Sequence, residues 1–288
     1  PYFVLSTGPL LQYGYTTSNG VEPYHLYALS NAASLGALVA YPFLIEPLIP
    51  LQIQSVLWGL LFFIYATSVA LVGLAYVRSS PPTAQPRDTM HYSAGAYLRW
   101  VGFSLLPSFL LVATTTEITQ VIAPMPLLWT VPLALYLLSF ILAFRGWGGS
   151  IVMPLVVLLA ALGAYVLLED LWLYTIPKVA LDLTLLFACG LLCHAALYAA
   201  RPAGRESPRY YLFVSFGGML GCLAGSVVAP LAFPDFWEFP IGVIVSAMVA
   251  YALISPRLFP RFISPRLMYM GKGMFMLSVG ALFAGVLA

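Results

Sequence analysis

Glu117 stands in the run Thr114-Thr115-Thr116-Glu117-Ile118-Thr119-Gln120, with an apolar stretch before it (101–113) and another after it (127–144). An ionised carboxylate at the centre of a membrane helix costs about 3 kcal/mol on insertion scales, so such a residue is a functional candidate by default. Glu46 and Asp182 fall near the same ends of their own apolar runs. At 1.5 Å per helical residue, all three carboxylates are expected within roughly 8 Å of one interface. Together with the hydroxyls of Thr115 and Thr116, they form a candidate polar intramembrane site. Its chemistry would be the binding of a cation or a proton in a cavity open to that face. The alternative is local satisfaction of each carboxylate by Thr, Tyr, backbone or lipid headgroups. The threonines have a second reading too, because a Thr hydroxyl commonly bonds the carbonyl one turn back and bends its helix.

Cys189, Cys193 and His194 lie within two turns. Two cysteines at i, i+4 with a histidine suggest a soft-metal site, but no fourth ligand is evident and successive helical residues point about 100° apart. No metal and no cofactor is assigned. The cysteines, Cys222 included, read as small buried residues. His194 is expected to make polar contacts near the helix end close to Arg201. Signatures such as GxGxxG after a strand, the P-loop, HExxH and GxSxG are missing, so no catalytic residue is assigned and chemistry by this chain alone is not expected. Gly217, Gly221 and Gly225 recur every fourth residue, with Gly218 alongside. Such a stripe lets another helix approach closely, within the chain or between chains.

The elements that must position these residues follow from composition. Hydrophobic residues make up 61% of the 288 and charged residues 8%, against roughly 25% charged in soluble domains. Twelve basic and ten acidic side chains could not cover a soluble protein of this length. The net charge of +2 and the lack of basic clusters with interleaved aromatics argue against nucleic-acid binding. The fold class is all-α: a polytopic transmembrane bundle forming one domain over 1–288, with the bilayer as its first partner. A span takes roughly 20 apolar residues. Nine are expected, at 26–46, 53–77, 100–122, 126–144, 151–168, 177–200, 210–232, 239–255 and 269–288, after a partial helix at 1–11. The chain opens at Pro1 within an apolar segment and shows no cleavable signal peptide, which implies earlier residues in the native protein.

Loop charge supports the count. Arg78, Arg87 and Arg99 share one loop, the next is uncharged, and Arg145 occupies the following one. Glu169 and Asp170 come next, then Arg201, Arg205 and Arg209, then Asp235 and Glu238, then Arg257, Arg261 and Arg266. Cytoplasmic loops concentrate Lys and Arg, so the arginine loops are placed inside, including the proline-containing loop at 78–99. This puts Glu46, Glu117 and Asp182 near the outer face. Pro107 and Pro132 are expected to kink their spans.

Three stretches resemble a known family. One is His25-Leu26-Tyr27-Ala28-Leu29-Ser30-Asn31 with Tyr41-Pro42-Phe43-Leu44-Ile45-Glu46-Pro47. The second is Thr115-Thr116-Glu117-Ile118-Thr119 with the run from Pro126-Leu127-Leu128-Trp129-Thr130-Val131-Pro132 to Ser139-Phe140. The third joins Cys193-His194, Arg201-Pro202, Tyr211, Ser215-Phe216-Gly217-Gly218-Met219-Leu220-Gly221 and Trp237-Glu238-Phe239-Pro240. In order and spacing, over most of 1–255, they resemble the membrane region of bacterial spermidine-synthase-like integral membrane proteins. The resemblance implies a shared fold, a bacterial inner membrane and, in many members, a C-terminal aminopropyltransferase-like domain that these residues do not include. The family tends to carry His where Glu117 stands, and His-Gly-Glu-Leu where His194-Ala195-Ala196-Leu197 stands.

Three functions are therefore expected to compete. The first is a non-catalytic membrane subunit, scaffold or accessory protein associated with other membrane chains. The second is a transporter or exporter of a small cationic metabolite such as a polyamine. The third is the membrane part of a spermidine-synthase-like enzyme whose soluble domain is absent.

Overall fold

The computed structural model describes Gly8 and residues 24–78, 92–122, 128–147, 175–202, 206–234 and 237–253. These are helical, with no strand among them. Seven helices follow in order: α1 (Tyr24–Leu48), α2 (Leu51–Arg78), α3 (Ala94–Val121), α4 (Thr130–Phe144), α5 (Thr175–Ala199), α6 (Ser207–Ala232) and α7 (Glu238–Leu253). By length and composition, α1, α2, α3, α5 and α6 can cross a membrane.

The count of nine spans is not reached. The runs at 126–144 and 239–255 yield the shorter helices α4 and α7. The 15 residues of α4 rise about 22 Å, short of the roughly 30 Å of hydrocarbon. The helix starts only at Thr130, behind the prolines of 124–126. Pro132 consequently occupies its first turn, where no intrahelical donor is lost, and does not kink a span as expected. Pro107 does lie inside α3. The runs at 1–11, 151–168 and 269–288 and most of the loop at 78–99 lie outside the described residues.

Two helices carry π-helical turns next to proline. In α1 the Glu46 N–H reaches Tyr41 O, and in α6 the Ala229 N–H reaches Ala224 O. Pro47 and Pro230 follow directly, and a residue without an N–H is a common cause of such a local widening.

The centre of the bundle is α3, packed against α6, α5 and α7, while α4 joins α5 to α1. Between α3 and α6 the closeness rests on glycine. A Cβ on Gly217 would collide with Ser104 Oγ and the Val101 carbonyl and lie 2.9 Å from Val101 Cα. One on Gly221 would strike the Leu105 carbonyl and stand 3.0 Å from Phe109 N, and one on Gly225 would sit 3.0 Å from Val112. Successive glycines thus meet successive turns of α3, so the two helices run parallel. In lipid, where tails are as apolar as Leu, such backbone approach is a main source of helix association. The stripe therefore faces inward, within one chain.

At one end of the bundle, aromatic and basic side chains close α5. The last carbonyls of a helix lack intrahelical donors, and here Tyr210 Oη donates to Leu197 O (3.0 Å), Trp100 Nε1 to Ala200 O (2.8 Å) and Tyr24 Oη to Pro202 O (2.6 Å). Arg201 donates to Tyr198 O and stacks over the Tyr198 ring at 3.8 Å. Trp100 and Tyr210 meet edge to face, and Tyr27 stacks on Tyr211 at 4.5 Å. The start of α1, the starts of α3 and α6 and the end of α5 therefore lie together.

Candidate functional site

At the opposite end of α5, α3 completes its polar run. Lys178 Nζ donates to Glu117 Oε1 and lies 3.6 Å from Asp182 Oδ2, one turn on along its own helix. The lysine and Glu117 side chains are partly exposed, whereas Asp182 is 6% exposed. Oδ2 of Asp182 is buried without a hydrogen-bond partner among the described residues, since 3.6 Å exceeds hydrogen-bonding range. Thr114, fully buried one turn before Glu117, likewise leaves its Oγ1 without a partner. Thr115 bonds back to Leu111 O at 2.7 Å, and Thr119 to Thr116 O at 2.7 Å, the local bonding that competes with a ligand role.

Two of the three expected carboxylates are thus brought together, and by a residue the sequence reading passed over. Lys178 is absent from the loop-charge alternation, yet its spacing to Asp182 is the i, i+4 spacing of a helical ion pair. That spacing was the available signal. Glu46 is exposed on α1 and joins neither ion pair. The triad holds two carboxylates and one ammonium, a net charge of −1 with all three ionised. The chain's own cation already occupies the space between the acids.

A second polar centre lies about 18 Å further along α5, twelve residues after Asp182. His194 is fully buried, with Nδ1 2.9 Å from Ser139 Oγ and its ring 4.0 Å from that of Phe140 and edge-on to Tyr136. Ser139 donates its proton to Tyr136 O at 2.7 Å, so the Nδ1 proton is the one shared with Ser139 and Nε2 is left as an acceptor. Nε2 has no partner among the described residues. Tyr136 Oη in turn meets Ser108 Oγ of α3 at 3.2 Å. His194 thus holds α4 and α5 together inside the core, and does not make contacts near the helix end as expected. Among the described residues no three His, Cys, Asp or Glu side chains converge in a way that could hold a metal ion.

Neither centre pairs a nucleophile with an activated base. The first is suited to holding and moving charge, the second to fixing the register of three helices. Compared with family models, curated proteins and solved structures, the chain finds no match.

Proposed function

We propose that this chain is a non-catalytic integral membrane subunit that contributes a packed helical core and a bare apolar helix to a larger assembly. The observation that carries the reading is α2. It runs for 28 residues, forms no extensive contact with any other described element, and none of its spanning window is buried. Trp58 and Phe62 stack in parallel on its surface at 5.9 Å, and Trp58 is 71% exposed. In α5, by contrast, half of the window is buried. A large contiguous apolar surface marks contact with a partner or with lipid, and an aromatic-rich face is the composition of an interface core. The same proposal places the chain in a bacterial inner membrane, with the loops of Arg78–Arg99, Arg145, Arg201–Arg209 and Arg257–Arg266 in the cytoplasm.

A photo-crosslinking amino acid at Trp58, activated in native membranes, tests this. Crosslinking to a defined protein chain in stoichiometric yield is expected. Crosslinking to lipid alone, with the chain migrating as a lone species after mild extraction, would remove the subunit reading.

One observation favours transport of a small cation instead: the unpartnered Asp182 oxygen beside Glu117. Lys178 weighs against it, because any substrate ammonium must displace the chain's own. Uptake of a labelled polyamine into proteoliposomes, abolished by Glu117→Gln, would raise transport above the subunit reading.

A further inference from the structure

We infer that Glu117, Lys178 and Asp182 form a proton-binding site in which one proton is held on the Asp182 carboxyl. Two carboxylates share a single ammonium, and the ammonium is unequally shared. It is hydrogen-bonded to Glu117 but stands 3.6 Å from Asp182 Oδ2. Asp182 is the more buried acid, and Oδ2 has no donor among the described residues. A buried charge without full pairing is costly. Water at that end of the bundle can supply the neutralising particle: a proton adds to the Asp182 carboxylate, forming one O–H bond and leaving a neutral acid beside a neutral Lys178–Glu117 pair. Nothing is oxidised or reduced, and the proton returns to water when Lys178 swings to Asp182.

Among the described residues the surroundings supply no other counter-ion. The described helices extensively packed against α5 are α3, α4 and α7. On α3 the charged residues are Glu117 at this end and Arg99 near the opposite end, close to Trp100, whose indole meets Ala200. The only titratable side chain of α4 is Tyr136, engaged with Ser108 near His194. The first residue of α7, Glu238, is buried, and it would add negative charge, not positive. On α5 itself the remaining titratable groups, Cys189, Cys193, His194 and Tyr198, start seven residues after Asp182, about 10 Å along the helix.

The test is infrared titration of the full chain in lipid nanodiscs, reading the C=O stretch of protonated carboxyls in ordinary and 13C-aspartate-labelled protein. Above about pH 5, where ordinary carboxyls are ionised, the wild type is expected to show one titrating carboxylic-acid band that moves on aspartate labelling. Asp182→Asn should lose it. Glu117→Gln should lose it too, because Lys178 is then released to ionise Asp182. Lys178→Met should gain a second protonated carboxyl. A wild type with no protonated aspartate anywhere above about pH 5, where ordinary carboxyls are ionised, overturns the proposal without any variant. So does a titrating band that persists in Asp182→Asn, or one that Glu117→Gln leaves unmoved.

Discussion

The two ends of α5 are closed by opposite means. At the C-terminal end, Tyr210, Trp100, Tyr24 and Arg201 direct donors at Leu197, Ala200, Pro202 and Tyr198. All but Arg201 are neutral, and the aromatic bodies of Trp100 and Tyr210 are buried against each other. At the N-terminal end three charged side chains share two ion pairs and leave one oxygen without a donor. A network of neutral donors on orphan carbonyls has one good arrangement, so it fixes helices. A triad of two acids and one lysine has at least two, with the lysine on either acid and a proton on the other. That end can therefore change state while the other cannot.

The comparison breaks most readily at the aromatic end. Trp100→Ala removes a side chain that is 1% exposed, together with the donor to Ala200, and is expected to cost about 3–5 kcal/mol. Chemical unfolding in detergent micelles should show it. A loss under about 1 kcal/mol would mean that this end does not hold the bundle, since that is no more than one exposed contact contributes. At the ionic end Lys178→Met strands two carboxylates. The side chain is 30% exposed, so the cost should fall below the range for fully buried pairs, at about 1–3 kcal/mol. In the same assay Asp182→Asn should be close to neutral, within about 0.5 kcal/mol, because it leaves the Lys178–Glu117 pair intact and replaces a protonated carboxyl with a neutral amide. Equal losses in the two variants would show that both acids need the lysine alike and erase the asymmetry. A modest effect belongs to Tyr210→Phe, which deletes one hydroxyl from a carbonyl that also accepts from the Ala200 N–H. About 1 kcal/mol is expected, read as a modest drop in melting temperature with unchanged helicity.

Much of this was legible in the chain itself. The helical class follows from long apolar runs with few charges, and each of the seven described helices overlaps an expected span. The glycine stripe announced close packing because its four-residue spacing puts Gly217, Gly221 and Gly225 on one face. Its partner was not legible, since nothing in the spacing distinguishes Val101 and Leu105 of α3 from a second copy of the chain. Asp182 and Glu117 could be placed at one depth by counting residues. Glu46 could be placed there too, yet it faces outward, because depth along a helix says nothing about rotation around it. The length of α4 was misread because the apolar run continues through Pro126 and Trp129, and hydrophobicity does not record where helical geometry begins.

The sequence by itself determined the apolar solvent, the helical class and the positions of the charges along each helix, because these depend on composition and on the 1.5 Å rise alone. Only the tertiary structure decided which charges meet. The contacts of Lys178 with Glu117 and of His194 with Ser139 join residues 61 and 55 positions apart along the chain. Such pairings depend on the rotation and neighbour of each helix, which side-chain packing selects and no local pattern encodes.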